Sequence, residues 1–273
     1  MTDPLVSVII TTRNSEKTLK ALLQSIKEQS YIAVEIIVVD NNSTDKTVKI
    51  GRAFTKKVFN RGPERSAQRN FGAKKALGKY LLVLDSDMIL TKDVIRECVE
   101  QLEKSFSHQA IIIPERSFGE GFWAKTKAWE REINQGEDYF EAARFFPKEL
   151  FLKLGGYDEE LTGPEDWDLP QRLSKEYPPG RIKSFILHNE DCPTLIKLAK
   201  RKYYYGLSAH KYLKKQQIFP LNQKTVYFLR PAFYRQWKKI IFHPVISFGM
   251  MVMLLAETIG GGLGYLIGRL KDE

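Results

Sequence analysis

Cysteine is nearly absent from this sequence: Cys98 and Cys192 are the only two in 273 residues, and their spacing fits no metal motif. That leaves no multi-disulfide framework; a reduced compartment with free thiols is expected, with a single disulfide as the alternative. The opening MTDPLVSVII has no basic stretch ahead of its short apolar run, so no secretion signal is read there. No internal repeat or low-complexity tract interrupts the chain. Hydrophobic residues make up 43% of it and charged residues 28%, a globular balance that excludes general disorder. Acidic residues are missing from one long stretch. Between Cys192 and Leu255 there is no Asp or Glu, against twelve Lys and Arg. Residues 192–273 hold fourteen cations and three acids, a net +11, while residues 1–191 carry a net −1. A near-neutral front and a basic tail point to an anionic surface as partner.

The segment after the basic stretch decides which surface. Pro244 to Ile267 is 24 residues with Glu257 as the only charge. As a helix it spans about 36 Å, enough to cross a bilayer, with Glu257 costing about 2.5–3.5 kcal/mol near the centre. The expected partner is therefore anionic lipid rather than nucleic acid. A single span is the first reading. An interfacial hairpin broken at Gly260-Gly261-Gly262 and a buried soluble helix are the alternatives. The cations precede the segment, which places that side, and the rest of the chain, at the cytoplasmic face of a membrane.

The front half alternates strands with helices. Val6–Thr11, Glu35–Asp40, Val58–Asn60, Tyr80–Leu84 and Ala110–Pro114 read as strands, and Ser15–Gln29, Asp45–Phe54, Ser66–Leu77 and Asp93–Ser105 as helices between them. This order predicts an α/β fold: a Rossmann-like, mostly parallel sheet with helices on both faces. Further on, residues 115–140 read as a loop-and-helix flap, Ala142–Phe146 as a strand, Lys148–Leu154 as a helical turn, and Arg181–His188 as a last strand. Residues 192–239 read as basic surface helices. The chain thus divides into a catalytic domain over 1–191, a basic helical region over 192–243 and a hydrophobic membrane segment over 244–267.

Ligands of such sheets sit beyond the carboxyl ends of the strands. Thr11, Arg13 and Asn14, then Asp40 and Asn42, then Asp85, Ser86 and Asp87 all fall there, so they should line one edge. Asp85 and Asp87, at i and i+2 past the apolar strand YLLVL, can share a hard divalent cation, Mg²⁺ or Mn²⁺, that bridges diphosphate oxygens. Asp40 can accept from a nucleobase N–H or a ribose hydroxyl, or else cap the next helix. Arg65 and Arg69, one helical turn apart and beside Asn70, can hold diphosphate by charge-assisted bonds, or else form a solvated basic face. Glu165 and Asp166, in GPEDWDL, can supply a general base to a hydroxyl nucleophile; a phosphate acceptor needs none. The alternative is an acidic helix N-terminus. His188, ending SFILH, can complete a metal shell or be a structural residue. TTRNSEKT, after the first strand, contains no glycine, which argues against a nucleotidyltransferase phosphate loop.

Five segments in this order, VSVIITTRN, EIIVVDNNSTDKT, RNFGAKKALGKYLLVLDSDM, KLGGYDEEL and GPEDWDL, resemble family 2 glycosyltransferases, inverting enzymes of the GT-A fold. The resemblance covers roughly residues 5–190. It implies that Asp40 meets the nucleobase, that Asp85 and Asp87 bind metal and diphosphate, that Asp166 is the base and that His188 is a metal ligand. Gly156 and Trp167 are then placed on the acceptor side, Trp167 as a floor for a sugar. Asn41-Asn42 departs from the DG usual after the nucleobase aspartate. The implied activity is transfer of a sugar from a nucleotide-diphosphate sugar, a UDP-sugar before a GDP-sugar, to a hydroxyl of a membrane-proximal, lipid-linked saccharide. A polyprenyl-phosphate glycosyltransferase and a catalytically silent, membrane-bound nucleotide-sugar module are the alternatives.

Overall fold

The structure, a computed structural model, describes residues 3–104, 109–137, 141–174, 178–218 and 230–272. The chain forms two compact units: residues 1–115, 141–159 and 166–189 make the first, and residues 116–140, 160–165 and 190–273 the second. Residues 116–140, expected inside the catalytic domain, thus group with the basic tail.

The first unit is built on a seven-stranded sheet of order β3-β2-β1-β4-β8-β6-β9. Its strands are β1 (Val6–Thr12), β2 (Val34–Asp40), β3 (Val58–Asn60), β4 (Tyr80–Asp85), β6 (Ile111–Ile112), β8 (Ala143–Pro147) and β9 (Gly180–Arg181). The first four run parallel; β8 is antiparallel to both β4 and β6. Two short strands, β5 (Met88–Leu90) and β10 (Ile186–Asn189), pair antiparallel outside this sheet, and β7 spans Glu115–Phe118.

Continuous apolar runs form these strands because both faces are covered. Val6, Val8 and Ile10 face a core with Leu22, Leu23 and Ile26 of α1 (Leu19–Lys27) and with Val94, Ile95 and Cys98 of α4 (Val94–Lys104). Ile50 and Phe54 of α2 (Thr47–Phe54) pack against the same core. Ile9, Ile37 and Val83 face the other way, toward Ala73 of α3 (Arg65–Lys75), Phe151 of α6 (Lys148–Lys153) and Leu169 of α7 (Glu165–Ser174). Gly72 lets α3 lie close on the sheet: a Cβ there meets Ile9 at 2.5 Å.

The α/β order is as expected, with differences in detail. The strand expected over Arg181–His188 is two strands, because the Glu97 carboxylate accepts from the Lys183 and Ser184 amides and bends the chain between them. The strand expected over Ala110–Pro114 shrinks to Ile111–Ile112. The helix expected to reach Ser105 is described as far as Lys104; Ser105 lies outside the described residues.

The second unit is helical: α5 (Gly121–Ile133), α8 (Leu195–Lys215), α9 (Pro231–Arg235), α10 (Trp237–Phe242) and α11 (Pro244–Asp272). Residues 219–229, Lys224 among them, lie outside the described residues. Its core joins Ile133, Leu198, Met250, Met253 and Leu254. The hairpin at Gly260-Gly261-Gly262 does not form; α11 runs unbroken through it. The reason is packing. A Cβ on Gly260, Gly264 or Gly268 would come within 2.3, 2.1 and 2.1 Å of the carbonyls of Ala199, Tyr203 and Leu207, so the glycines are what admits α8. Glu257 is buried and meets Lys127 of α5 at 3.1 Å, as Glu130 does at 2.5 Å.

Gly264→Ala is expected to cost about 1–3 kcal/mol through overpacking, read as a lower urea midpoint. Gly262→Ala, where nothing lies within 4 Å, is expected to gain up to about 1 kcal/mol from helix propensity. Equal effects of the two would show that α8 does not pack on α11 through its glycines.

Candidate active site

The loops after β1 and β2 lock into each other. The Asn14 and Ser15 amides donate to the hydroxyls of Ser43 and Thr47, and Asn14 Oδ1 accepts from the Thr44 amide at 2.9 Å. Asn14 and Asn42 both adopt positive φ, 50° and 52°, a region Asn tolerates. Arg13 is exposed on this rim, and Asn42 accepts from Asn60 at 2.7 Å. Asp40 is buried. It accepts from Thr12 Oγ1 at 2.7 Å, from Ser43 Oγ at 2.6 Å and from the Ser43 amide at 2.7 Å. About four acceptor positions exist on a carboxylate, so most of Asp40 is spent on fixing this loop.

At the end of β4 the chemistry changes. Asp85 Oδ1 takes Arg69 Nη2 at 2.8 Å and Thr11 Oγ1 at 3.2 Å, while Oδ2 lies 3.7 Å from Arg144 Nη1. Burial alone would raise the Asp85 pKa; the facing charges of Arg69, Arg65 and Arg144 outweigh it and hold the carboxyl far below the usual range. Arg69 is fully buried in α3, and its Nη1 donates to Asp166 Oδ1 of α7 at 2.6 Å. The two acidic motifs read from the sequence, 81 residues apart, therefore meet on one guanidinium. Tyr157 lies under it, ring centroid 4.9 Å from the Arg69 Cζ, with its hydroxyl pKa pushed up by burial.

Arg144, on β8, continues the chain of charges. Its Nε donates to Glu115 at 2.6 Å; Glu115 meets His188 Nδ1 at 3.0 Å; His188 Nε2 lies 3.5 Å from Asp87 Oδ2. Asp166, Arg69, Asp85, Arg144, Glu115, His188 and Asp87 thus form one connected series, drawn from strands and helices far apart in the chain. Arg144 and Glu115, and Tyr157 beneath Arg69, are the residues of the site that sequence reasoning missed. The signal was an arginine inside the apolar run AARFFP, which a strand covered on both faces buries.

The expected metal set fits in part. Asp87 and His188 face each other, and Asp87 Oδ1 is buried without a hydrogen-bond partner, as a donor reserved for a cation would be. A carboxylate oxygen and an imidazole nitrogen would suit Mn²⁺ better than Mg²⁺, which takes oxygen ligands. Asp85, expected as a third ligand, is instead turned to the arginines, and among the described residues no trio of His, Cys, Asp or Glu is gathered to hold a metal.

Other expectations shift toward structural roles. Asn70 donates to the Tyr157 carbonyl at 2.8 Å and accepts from its amide at 2.9 Å, clamping the turn rather than facing a donor. Gly156, at φ 69°, sits against it, where a Cβ would meet Asn70 Oδ1 at 2.3 Å. Arg172 ties the same turn to Asp168. Ser86 donates to Ser15 at 2.7 Å. Arg65 and Trp167 are half-buried in the first unit, and Glu165 is buried and groups with the second.

Known proteins share both the sequence pattern and the fold. The family model described as "Glycosyl transferase family 2" matches residues 7–155. An uncharacterized glycosyltransferase of Haemophilus influenzae is 27% identical over 184 residues, covering 63% of this chain and 63% of its own. A GalNAc(5)-diNAcBac-PP-undecaprenol beta-1,3-glucosyltransferase of Campylobacter jejuni is 27% identical over 203 residues, covering 68% of this chain and 62% of its own. The chain thus spans a little under two thirds of these relatives. A mannosyltransferase of Pyrobaculum calidifontis, solved with GDP-Man and Mn²⁺, superposes with a TM-score of 0.69 at 16% identity, covering 96% of this chain and 87% of that one, a likeness of fold.

Arg69→Met is expected to destabilise the protein by about 3–5 kcal/mol, because it leaves Asp85 and Asp166 without their shared cation. A depressed carboxylate pKa gives stability that is present above the unfolded pKa and lost as pH falls through the folded one. Weakening the depression of Asp85 therefore moves the acid-unfolding midpoint to higher pH. An unchanged midpoint would remove Arg69 from the electrostatics of the site.

Proposed function

Because the chain belongs to glycosyl transferase family 2, we propose that it moves a sugar from a nucleotide-diphosphate sugar to a hydroxyl acceptor, with inversion at the anomeric carbon. The observation that carries this reading is the convergence of Asp85 and Asp166 on the buried Arg69. It supports one site in which a base and a diphosphate cradle share a rigid support.

In this reading Asp166 stands at the acceptor and takes its proton as the hydroxyl oxygen bonds to the anomeric carbon. The bond from that carbon to the diphosphate breaks, and the nucleoside diphosphate leaves with the electron pair. Arg69 fixes the direction of Asp166 through Oδ1. Arg65, half-buried at the start of α3, adds positive charge where diphosphate charge grows. Asp87 and His188 would hold the divalent cation, which when bound neutralises diphosphate oxygens. The interlocked loops after β1 and β2 make the nucleoside end, with Arg13 and Asn42 on its rim. A UDP-sugar is the favoured donor and a GDP-sugar the second choice.

For the acceptor, we infer a membrane-proximal, lipid-linked saccharide, with the catalytic unit at the cytoplasmic face. The basic stretch before α11, the apolar character of α11 and the lipid-linked substrate in the name of the Campylobacter jejuni relative support it. A carboxylate base favours a hydroxyl over a phosphate acceptor, which is already anionic.

Asp166→Asn is expected to lower kcat by about 10²–10⁴-fold while leaving nucleotide-sugar affinity unchanged. Equal losses in affinity and turnover would make Asp166 a binding residue. Separately, Asp87→Asn and His188→Gln are each expected to weaken Mn²⁺ binding in the presence of nucleotide, measured by the electron spin resonance of free Mn²⁺. Unchanged Mn²⁺ affinity in both would move the cation elsewhere.

A further inference from the structure

α11 has two unlike faces. One is fixed by the glycine contacts with α8 and by Glu257, which is buried against Lys127. The other carries Phe248, Met251, Leu255, Ile259, Leu263 and Leu266 at steps of three or four, each 49% to 67% exposed. These line a stripe about 27 Å long. A soluble monomer rarely leaves so continuous an apolar surface in water.

The contacts also set the level of α8 against α11. Ala199, Tyr203 and Leu207 lie beside Gly260, Gly264 and Gly268, so the two helices run parallel there. Lys197, Lys200, Arg201 and Lys202 of α8 are thereby held beside the middle of the apolar segment, and Glu257 pairs with Lys127 at the same level. Standing α11 across a bilayer would draw these charges into the hydrocarbon, where each is strongly disfavoured. The length and hydropathy of α11 allow a span; its neighbours oppose one.

We propose that α11 lies in the plane of an anionic membrane surface, with its aliphatic stripe sunk among the lipids and α8 on the aqueous side. The occupant is identified by what adjoins the stripe. Just before it, α9 and α10 expose Tyr234 and Trp237, aromatics that settle at headgroup level, interleaved with Arg235, Lys238 and Lys239. Glu137 and Glu132 pair with Arg235 and Lys239, but with no acid of its own from Cys192 to Leu255 the stretch keeps an excess of positive charge for anionic headgroups. The inference deepens the membrane-proximal part of the proposed function. Its test uses no sugar donor, so either can fail alone.

The full chain is expressed with Cys192→Ser, leaving only the buried Cys98, and a single cysteine is introduced as His243→Cys, just before α11, or Lys271→Cys. A membrane-impermeant maleimide is then applied to intact spheroplasts and to inverted vesicles. A side-on helix labels at both positions in inverted vesicles and at neither in spheroplasts. Labelling of Lys271→Cys in spheroplasts means that α11 spans, and overturns the proposal. As a second measure, Leu255→Gln, Ile259→Gln and Leu263→Gln are combined and checked by circular dichroism for retained helix. Affinity for phosphatidylcholine vesicles containing phosphatidylglycerol is expected to fall at least about 100-fold. Unchanged vesicle affinity, or a wild-type chain that is a soluble dimer by light scattering and ignores vesicles, also overturns it; the latter would make the stripe a contact between copies.

Discussion

A single buried guanidinium organises the first unit. Arg69 has no exposed surface, yet it holds a full charge, and such a charge survives burial only when carboxylates surround it. Asp85 and Asp166 provide them, from a strand end and from the first turn of a distant helix. The constraint works in both directions. The sheet must deliver Asp85, α3 must lie close enough to present Arg69, and α7 must turn its first carboxylates inward. Gly72, pressed against Ile9, meets the second requirement, and the Asn70 and Arg172 clamps on the turn at 154–157 serve the third. The residues nearest the chemistry are thus placed by residues whose own work is structural.

The same logic separates the two aspartates of Asp85-Ser-Asp87. Asp85 still belongs to β4 and points to the arginines that flank the sheet. Asp87 lies past the strand end, where the Asn189 amide donates to its carbonyl and sets it beside His188. One motif therefore contributes one carboxylate to an internal charge lattice and one to the surface where a cation is proposed to bind. Glu115 joins the two: it accepts from Arg144 on one side and faces the His188 ring on the other. A carboxylate behind a histidine fixes the tautomer and leaves the far nitrogen as the donor for a cation.

Much of this was legible in the sequence, for reasons that can be stated. The parallel sheet followed from β-branched runs ending in polar residues, and those endings mark the edge where Asp40, Asp85 and their neighbours gather. Glu165 and Asp166 stood out because acids cluster there beside a helix start. What the sequence hid was pairing. Arg69 read as a donor ligand on a helix face, since i, i+4 spacing says nothing of which face is buried. Asp40 read as a nucleobase contact, although Thr12 and Ser43 take most of its acceptor capacity. Arg144 reaches the site because β8 inserts antiparallel beside β4, and Glu115 because β7 starts next to it. Glu115 has no local signature, and the place of Arg144 in AARFFP says that it is buried but not what it meets.

The tail shows the same limit in a sharper form. Hydropathy counts Glu257 as a lone charge in an apolar run and weighs it against the whole segment. In the folded chain it has Lys127 as a partner at 3.1 Å and Lys202 at 3.9 Å, so its burial no longer depends on any lipid. Of the three glycines that read as a break, only Gly260 packs tightly on α8, and with Gly264 and Gly268 it brings the two helices backbone to backbone. Once α8 is fixed there, membrane affinity depends on a pair of helices and not on the composition of one. α11 alone is apolar enough to cross, but α8 brings seven Lys and Arg in 21 residues along with it. The cost of immersing a helix pair is set by its more polar member. A surface that accepts aliphatic side chains on one side and leaves cations in water on the other satisfies both helices at once.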